Sequence, residues 1–266
     1  MAPNYNATNP ITFNATTPNS PSVSWTLNLT YTTTGGKCKG CTNSQSLTTA
    51  SGANGTATYQ SMGGQLVATA TDGVNSSGSV TAYVVGAAIP TATEVALLNS
   101  SYSGATTNLL NGIAQVESST TQFVQKTNFG VAAYWPTESL SDGGSHIGLL
   151  MLPVAMGVAW DYNINVAQGA SLFGAKLASA TRIMNSAINT YSGLPALNAV
   201  QLENMALVLY GPYAAAGATN QYYAPSCQGG TAAGTTCSGG TWVWVVNTAN
   251  NAGGVAYANK CRASVH

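Results

Sequence analysis

Charge is what this sequence has least of: 7 acidic and 7 basic side chains in 266 residues, 5% of the chain, against roughly 25% in an ordinary globular protein. With a net charge of zero and no basic run, it lacks the electrostatic footprint of a nucleic-acid binder. The same balance argues against a polybasic membrane contact. Only two histidines occur, His146 and His266, and no second CxxC accompanies "CKGC". A lone CxxC is compatible with a redox pair or half a zinc site, but structural thiols or disulfides fit better, and nothing calls for a metal or an organic cofactor. The longest apolar stretch, "IGLLMLPVAMGVAW" at 147–160, is broken by Pro153 and two glycines and is shorter than the roughly 20 residues a membrane span needs. "MAPNYNATNP" has neither the basic start nor the apolar core of a signal peptide, which for an exported protein implies a mature form carrying an initiator Met.

What is there in quantity is apolar and uncharged-polar. Hydrophobic residues make up 45%, enough for one or two domains with their own cores. Hydration must come from Ser, Thr, Asn and Gln, a look common among secreted proteins, so an extracellular or periplasmic location is expected. Surfaces without like charge also leave self-association unopposed. Five cysteines, Cys38, Cys41, Cys227, Cys237 and Cys261, support an oxidising compartment. The odd number leaves one sulfur outside any intrachain pairing.

The chain changes period near residue 88. Before it, "SVSWTLNLTYTT", "GTATYQS", "QLVATATDG" and "SGSVTAYVVG" alternate as strands do, with Val23, Trp25, Leu27, Leu29 and Tyr31 on one face of the first. Several short strands in about 75 residues suggest an all-β immunoglobulin-like sandwich over 1–88, and "TATDGVNSSGSVTAYVVG" resembles the last hairpin of bacterial Ig-like modules. After "AAIPTATE", where Thr93 is a candidate cap, the period becomes helical. Leu109, Leu110, Ile113 and Val116 fall on one stripe. Val166, Ala170, Phe173, Leu177, Ile183 and Ile188 form a second, and Val200, Met205, Leu207 and Leu209 a third. Residues 89–266 are therefore expected to be a mostly α domain.

Each carboxylate in so uncharged a chain invites a question, and four of the seven (Glu117, Glu138, Asp142, Asp161) lie between 117 and 161. Glu117 follows Ile113 by four positions and Val116 by one, which sets it beside the buried stripe. Desolvation there would favour the protonated form, as a general acid requires; an exposed or capping glutamate is the plainer reading. The segments "AQVESSTTQF", "DGGSHIGLLMLP", "DYNINVAQGASLFGAKL" and "NMALVLYGPY" resemble, in this order and spacing, motifs of the soluble lytic transglycosylase and goose-type lysozyme superfamily. The resemblance runs from about 91 to 225, and "GGVAYANKC" looks like the family's closing segment.

That resemblance implies a lysozyme-like domain in which Glu117 is the catalytic acid, followed by Ser118. Gly148, Leu149 and Leu150 match the first three positions of the family's groove-lining "GLMQ" turn, and Met151 stands where the family has Gln. Asp161, Asn165, Val166, Gly169, Ala170 and Phe173 match its helix-opening motif, for which a capped core helix is an equal reading. Tyr210 matches the tyrosine that contacts the acid, while Gly211 replaces an Asn. Asp142, six residues before Gly148, is the candidate water positioner, unless it merely opens the "SDGGSH" turn. Ser118, Ser145, His146, Gly148, Leu149 and Met151 are the candidate substrate-binding residues, His146 otherwise being a solvated turn residue. Tyr134, Trp135 and Trp160 are read as either a sugar-stacking face or core, and Glu138 and Glu203 as structural.

The implied activity is cleavage of β-1,4 glycosidic bonds in peptidoglycan, or a related GlcNAc-containing polysaccharide, by one acid/base glutamate. It ends either in hydrolysis or in an anhydro sugar. Glycosidases more usually employ two carboxylates. The competing expectation is a catalytically inactive cell-surface or structural protein that uses both domains for glycan binding or assembly.

Overall fold

The computed structural model describes residues 9–14, 22–38, 41–50, 54–59, 62–71, 78–211 and 221–265. Six strands come first: β1 (Asn9–Asn14), β2 (Ser22–Thr30), β3 (Thr42–Ala50), β4 (Asn54–Tyr59), β5 (Gly64–Thr71) and β6 (Gly78–Val84). Helices α1 (Thr91–Ser100) and α2 (Leu109–Ser118) follow, then hairpin strands β7 (Phe123–Asn128) and β8 (Val131–Pro136), and the two-residue strands β9 (His146–Ile147) and β10 (Leu152–Pro153). Helices α3 (Met156–Trp160), α4 (Tyr162–Thr190) and α5 (Ala199–Tyr210) lead to β11 (Tyr223–Gln228), β12 (Thr231–Ala233), β13 (Thr236–Ser238), β14 (Thr241–Val246) and α6 (Thr248–Ala263). The chain forms two compact units that do not follow chain order: 1–94 with 117–166, and 95–116 with 167–266.

In the first unit the period-two text folds as expected at the level of the strand. Val23, Trp25, Leu27, Leu29 and Tyr31 are all buried, while Ser24 and Thr26 are exposed. β2 pairs with β3 on one side and β5 on the other, giving an antiparallel sheet of order β3-β2-β5-β6, and β1 pairs only with β4. The expected immunoglobulin-like sandwich is therefore corrected: the described residues hold one four-stranded sheet and a separate two-stranded ladder. Nor is the rest mostly helical, since small antiparallel pairs β7-β8, β9-β10, β11-β14 and β12-β13 recur between helices. Residues 72–77, the turn of the Ig-resembling hairpin, lie outside the described residues.

Alternation reports that a strand has a buried face, not what covers it. Here aromatic rings from 117–166 share the burial. Tyr31 meets Trp160 edge-on at 5.3 Å, and Trp160 packs on Phe123 (5.8 Å) and Trp135 (5.9 Å). At Gly63 a Cβ would lie 2.5 Å from the Trp160 ring, and at Gly86 2.5 Å from Phe123, so both glycines are required by close approach. Gly86 N–H also donates to Tyr134 O at 2.9 Å. Trp135 and Trp160, 0% and 3% exposed, are core residues and offer no face to a sugar.

The second unit is built around α4, α5 and α6. α5 opens with a reciprocal capping box in which Asn198 accepts from Gln201 N and Gln201 accepts from Asn198 N, both at 2.9 Å. Its buried residues are Glu203, Met205, Ala206, Leu207 and Val208, whereas Val200 is exposed. Glu203 thus lies on the buried side of α5, contrary to the sequence pattern. It accepts from Tyr102 OH (2.8 Å), Thr106 N (3.1 Å), Thr106 Oγ1 (2.6 Å) and Arg262 Nη2 (3.2 Å). Cys227–Cys237 and Cys38–Cys41 form disulfides, and Cys261 is buried outside both. No helix among the described residues is long and apolar enough to cross a membrane.

Removing residues 1–88 strips Trp160 of Tyr31 and Gly63, and Phe123 of Gly86. A chain of residues 89–266 is accordingly expected to lose cooperative structure in 117–166, visible as collapsed amide dispersion in a ¹⁵N NMR spectrum. A cooperative melt at the full-length midpoint would contradict this packing.

Candidate functional site

α2 delivers Glu117 at its end. Leu109, Leu110 and Ile113 are fully buried, and Glu117 is half-buried beside them. The helix stops because Ser119 and Thr120 adopt left-handed φ of 55° and 52°. Ser118, the residue after the glutamate, is buried and donates its Oγ–H to Leu149 O at 2.8 Å, while accepting from Thr121 N at 3.3 Å. One hydroxyl therefore fastens the end of the acid-bearing helix to the turn that joins β9 to β10.

That turn, Gly148–Met151, is held from beneath by two fully buried amides. Gln122 Oε1 accepts from Leu149 N (3.0 Å), and its Nε2 donates to Val158 O (3.1 Å) and Ala159 O (2.8 Å). Asn165 Oδ1 accepts from Leu150 N (3.0 Å), and its Nδ2 donates to Ile147 O (3.0 Å) and Val158 O (3.3 Å). Gly148 has φ +81°, and a Cβ there would lie 2.7 Å from Gln122 Oε1 and collide with the Asn165 amide, so glycine is demanded by conformation and by space together. Leu149 and Leu150 point into the core, leaving Met151, half-buried at φ 44°, as the outermost side chain of the turn. Asp161 Oδ1 caps α4 by accepting from Asn163 N (2.8 Å) and Ile164 N (3.4 Å), the structural reading of that motif.

Asp142, Ser145 and His146 share one loop. Its neck is closed by Ser139 N–H to His146 O (3.0 Å) and by Gly148 N–H to Thr137 O (2.8 Å). Asp142 Oδ1 accepts from Ser145 N at 2.8 Å, Ser145 Oγ donates to Asp142 O at 3.0 Å, and Asp142 Oδ2 pairs with His146 Nδ1. Partial burial pushes the Asp142 carboxyl up, but the His146 imidazole, the Ser145 N–H and the Ser139 hydroxyl outweigh it and hold the group below the usual carboxylate value. The result is a part-exposed, ionised carboxylate with an imidazole fixed beside it. Tyr210 closes α5 in the second unit, half-buried, with the Phe173 ring 6.3 Å away. Gly211 follows it, and a Cβ there would sit 2.7 Å from the Tyr257 ring, which requires glycine at this position.

Sequence reasoning assigned no role to Glu94 or Gln122. Glu94, 2% exposed, accepts from Gln122 N at 2.9 Å, so it holds the backbone of the residue whose side-chain amide backs the turn. Desolvation pushes its carboxyl up to about 7, against the lowering effect of that hydrogen bond. The available signal was the rarity of carboxylates itself. Among the described residues no cluster of three or more His, Cys, Asp or Glu could hold a metal ion. Comparison with protein-family models, curated proteins and solved structures finds no match for this chain.

Two outcomes follow from the clamp. Asn165→Leu strips the Ile147 and Val158 carbonyls and the Leu150 N–H of their amide, and is expected to cost about 2–4 kcal/mol in urea denaturation. For Glu94, the folded state keeps its proton to about pH 7, whereas an unfolded glutamic acid loses it near 4.5. The fold therefore binds more protons between those values, and stability falls as pH rises through that window. Glu94→Gln is expected to flatten the fall, measured as urea midpoints across the window. Identical slopes in both proteins would exclude the assignment.

Proposed function

We propose that this protein cleaves β-1,4 glycosidic bonds of peptidoglycan, or of a related GlcNAc-containing polymer, with Glu117 as general acid and then base. The observation that carries the reading is the Ser118 Oγ–Leu149 O bond. It joins the helix end bearing the acid to the glycine turn, two motifs that resemble lytic transglycosylases and goose-type lysozymes and lie 31 residues apart.

In this reading a glycan strand lies along the Gly148–Met151 turn. Glu117, half-buried at the helix terminus, donates its proton to the leaving glycosidic oxygen. Acid–base assistance of this kind contributes roughly 10²- to 10⁴-fold. The resulting carboxylate then takes a proton either from water, giving hydrolysis, or from the sugar's own 6-hydroxyl, giving the anhydro product. Asp142, ionised and braced by His146 and Ser145, is the group that would hold the water. Ser145 and His146 are assigned to sugar or peptide contacts. The two disulfides and the lack of a membrane-spanning helix among the described residues support a secreted protein acting outside the cytoplasm.

Glu117→Gln preserves shape and removes the proton. Clearing of purified cell walls is expected to fall by about 10²-fold or more, and clearing that survives the change would sink the reading. Asp142→Asn is expected to shift released fragments toward the anhydro form, one water lighter by mass spectrometry. A wild-type chain that binds cell walls but releases nothing would favour the inactive glycan-binding or structural alternative.

A further inference from the structure

We propose that Glu138 is a positioning residue that sets the Asp142–His146 loop by tying its foot to the turn after β2, so that the N-terminal sheet governs the water-positioning step. This rests on the glycosidase reading for its chemical consequence, though not for its geometry.

Glu138 is buried, with a side chain only 3% exposed, and both its oxygens are occupied by donors from elsewhere in the unit. Oε1 takes Lys126 Nζ at 2.6 Å and Tyr31 OH at 3.3 Å. Oε2 takes Thr34 Oγ1 at 2.5 Å and Thr34 N at 3.1 Å. Tyr31 and Thr34 lie more than 100 residues upstream, and Lys126 is on β7. A carboxylate met by four donors from three points is fixed in place, and an ion pair out of water resists partial disruption. Burial lowers the Lys126 ammonium and raises the Tyr31 phenol, the latter reinforced by the Glu138 charge.

The foot is also where the loop begins. Glu138 bridges Ile147 in the backbone, and the next residue, Ser139, donates to His146 O (3.0 Å) and accepts from Gly144 N (2.8 Å). The loop's crest rests on the same turn. A Cβ at Gly144 would lie 2.7 Å from Thr33 Oγ1, and one at Gly35 would collide with the Gly143 carbonyl. Cys38–Cys41 closes this turn, and Lys37 N–H donates to Thr33 Oγ1 at 3.1 Å. Foot and crest of the Asp142 loop are therefore both seated on residues 31–35, and among the Glu138 partners Thr34 is the exposed one.

The test compares Thr34→Val, Thr34→Ser and Glu138→Gln with the wild-type chain. Thr34→Val removes a hydroxyl from an exposed residue and should not threaten folding, whereas Glu138→Gln disturbs a buried pair. Hydrogen exchange by mass spectrometry is expected to quicken about tenfold over 139–147 in Thr34→Val, with α4 unchanged, and to return in Thr34→Ser. On cell walls, Thr34→Val is expected to lower the ratio of hydrolysed to anhydro fragments about tenfold, with total cleavage within about twofold. Wild-type exchange over 139–147 in Thr34→Val would overturn the positioning. An unchanged ratio, or equal loss of both products, would overturn its chemical consequence. If the wild-type chain releases no fragments, the glycosidase reading fails, and the exchange data alone decide whether Glu138 seats the loop.

Discussion

Two side-chain amides carry the site. Gln122 and Asn165 take up the peptide groups of the turn after Ile147, and because both are fully buried, every hydrogen bond they make is shielded from competition with water. The turn adopts its left-handed glycine conformation against that pair. Ser118 fastens the acid-bearing helix to it, and α3 lends carbonyls to the same two amides. Remove the amides and the helix end, the turn and the start of α4 lose their common reference point.

The scarcity of charge then becomes intelligible. Glu94, Glu138 and Glu203 are all buried, and each accepts hydrogen bonds from residues at least 28 positions away. Carboxylates in this protein serve as cross-links between distant stretches of chain, where an apolar contact would hold less specifically. Asp161 works locally, as a helix cap. Asp142 is part-exposed, like Glu117, and its carboxylate is paired chiefly within its own loop.

Local order could be read from the residue pattern because local order is what periodicity encodes. The alternation over Val23–Tyr31 picks out the buried face residue by residue, and the stripe at Leu109, Leu110 and Ile113 does the same for α2. The failures share a cause. Alternation cannot reveal that the sheet's burial is shared with Trp160 and Phe123 instead of a second sheet, because those rings lie far downstream, beyond two intervening helices. Val200 and Glu203 exchange their expected sides because Arg262, Thr106 and Tyr102 stabilise the glutamate through partners that α5 itself does not contain. Glu138 could be read only as structural, without its partners, for the same reason: Tyr31 and Thr34 are remote in sequence. At the candidate site, Glu117, Ser118 and Gly148 were singled out in the sequence by a resemblance alone, whereas the supporting amide of Gln122 was visible only once the chain was folded.

Tyr257 fills the space that any side chain at position 211 would need. A single substitution therefore cannot seat a larger side chain at 211, because the aromatic must shrink before one can enter. Shrinking it alone would open a void beneath the last turn of α5. The two positions are therefore coupled: the packing of Tyr257 keeps position 211 a glycine.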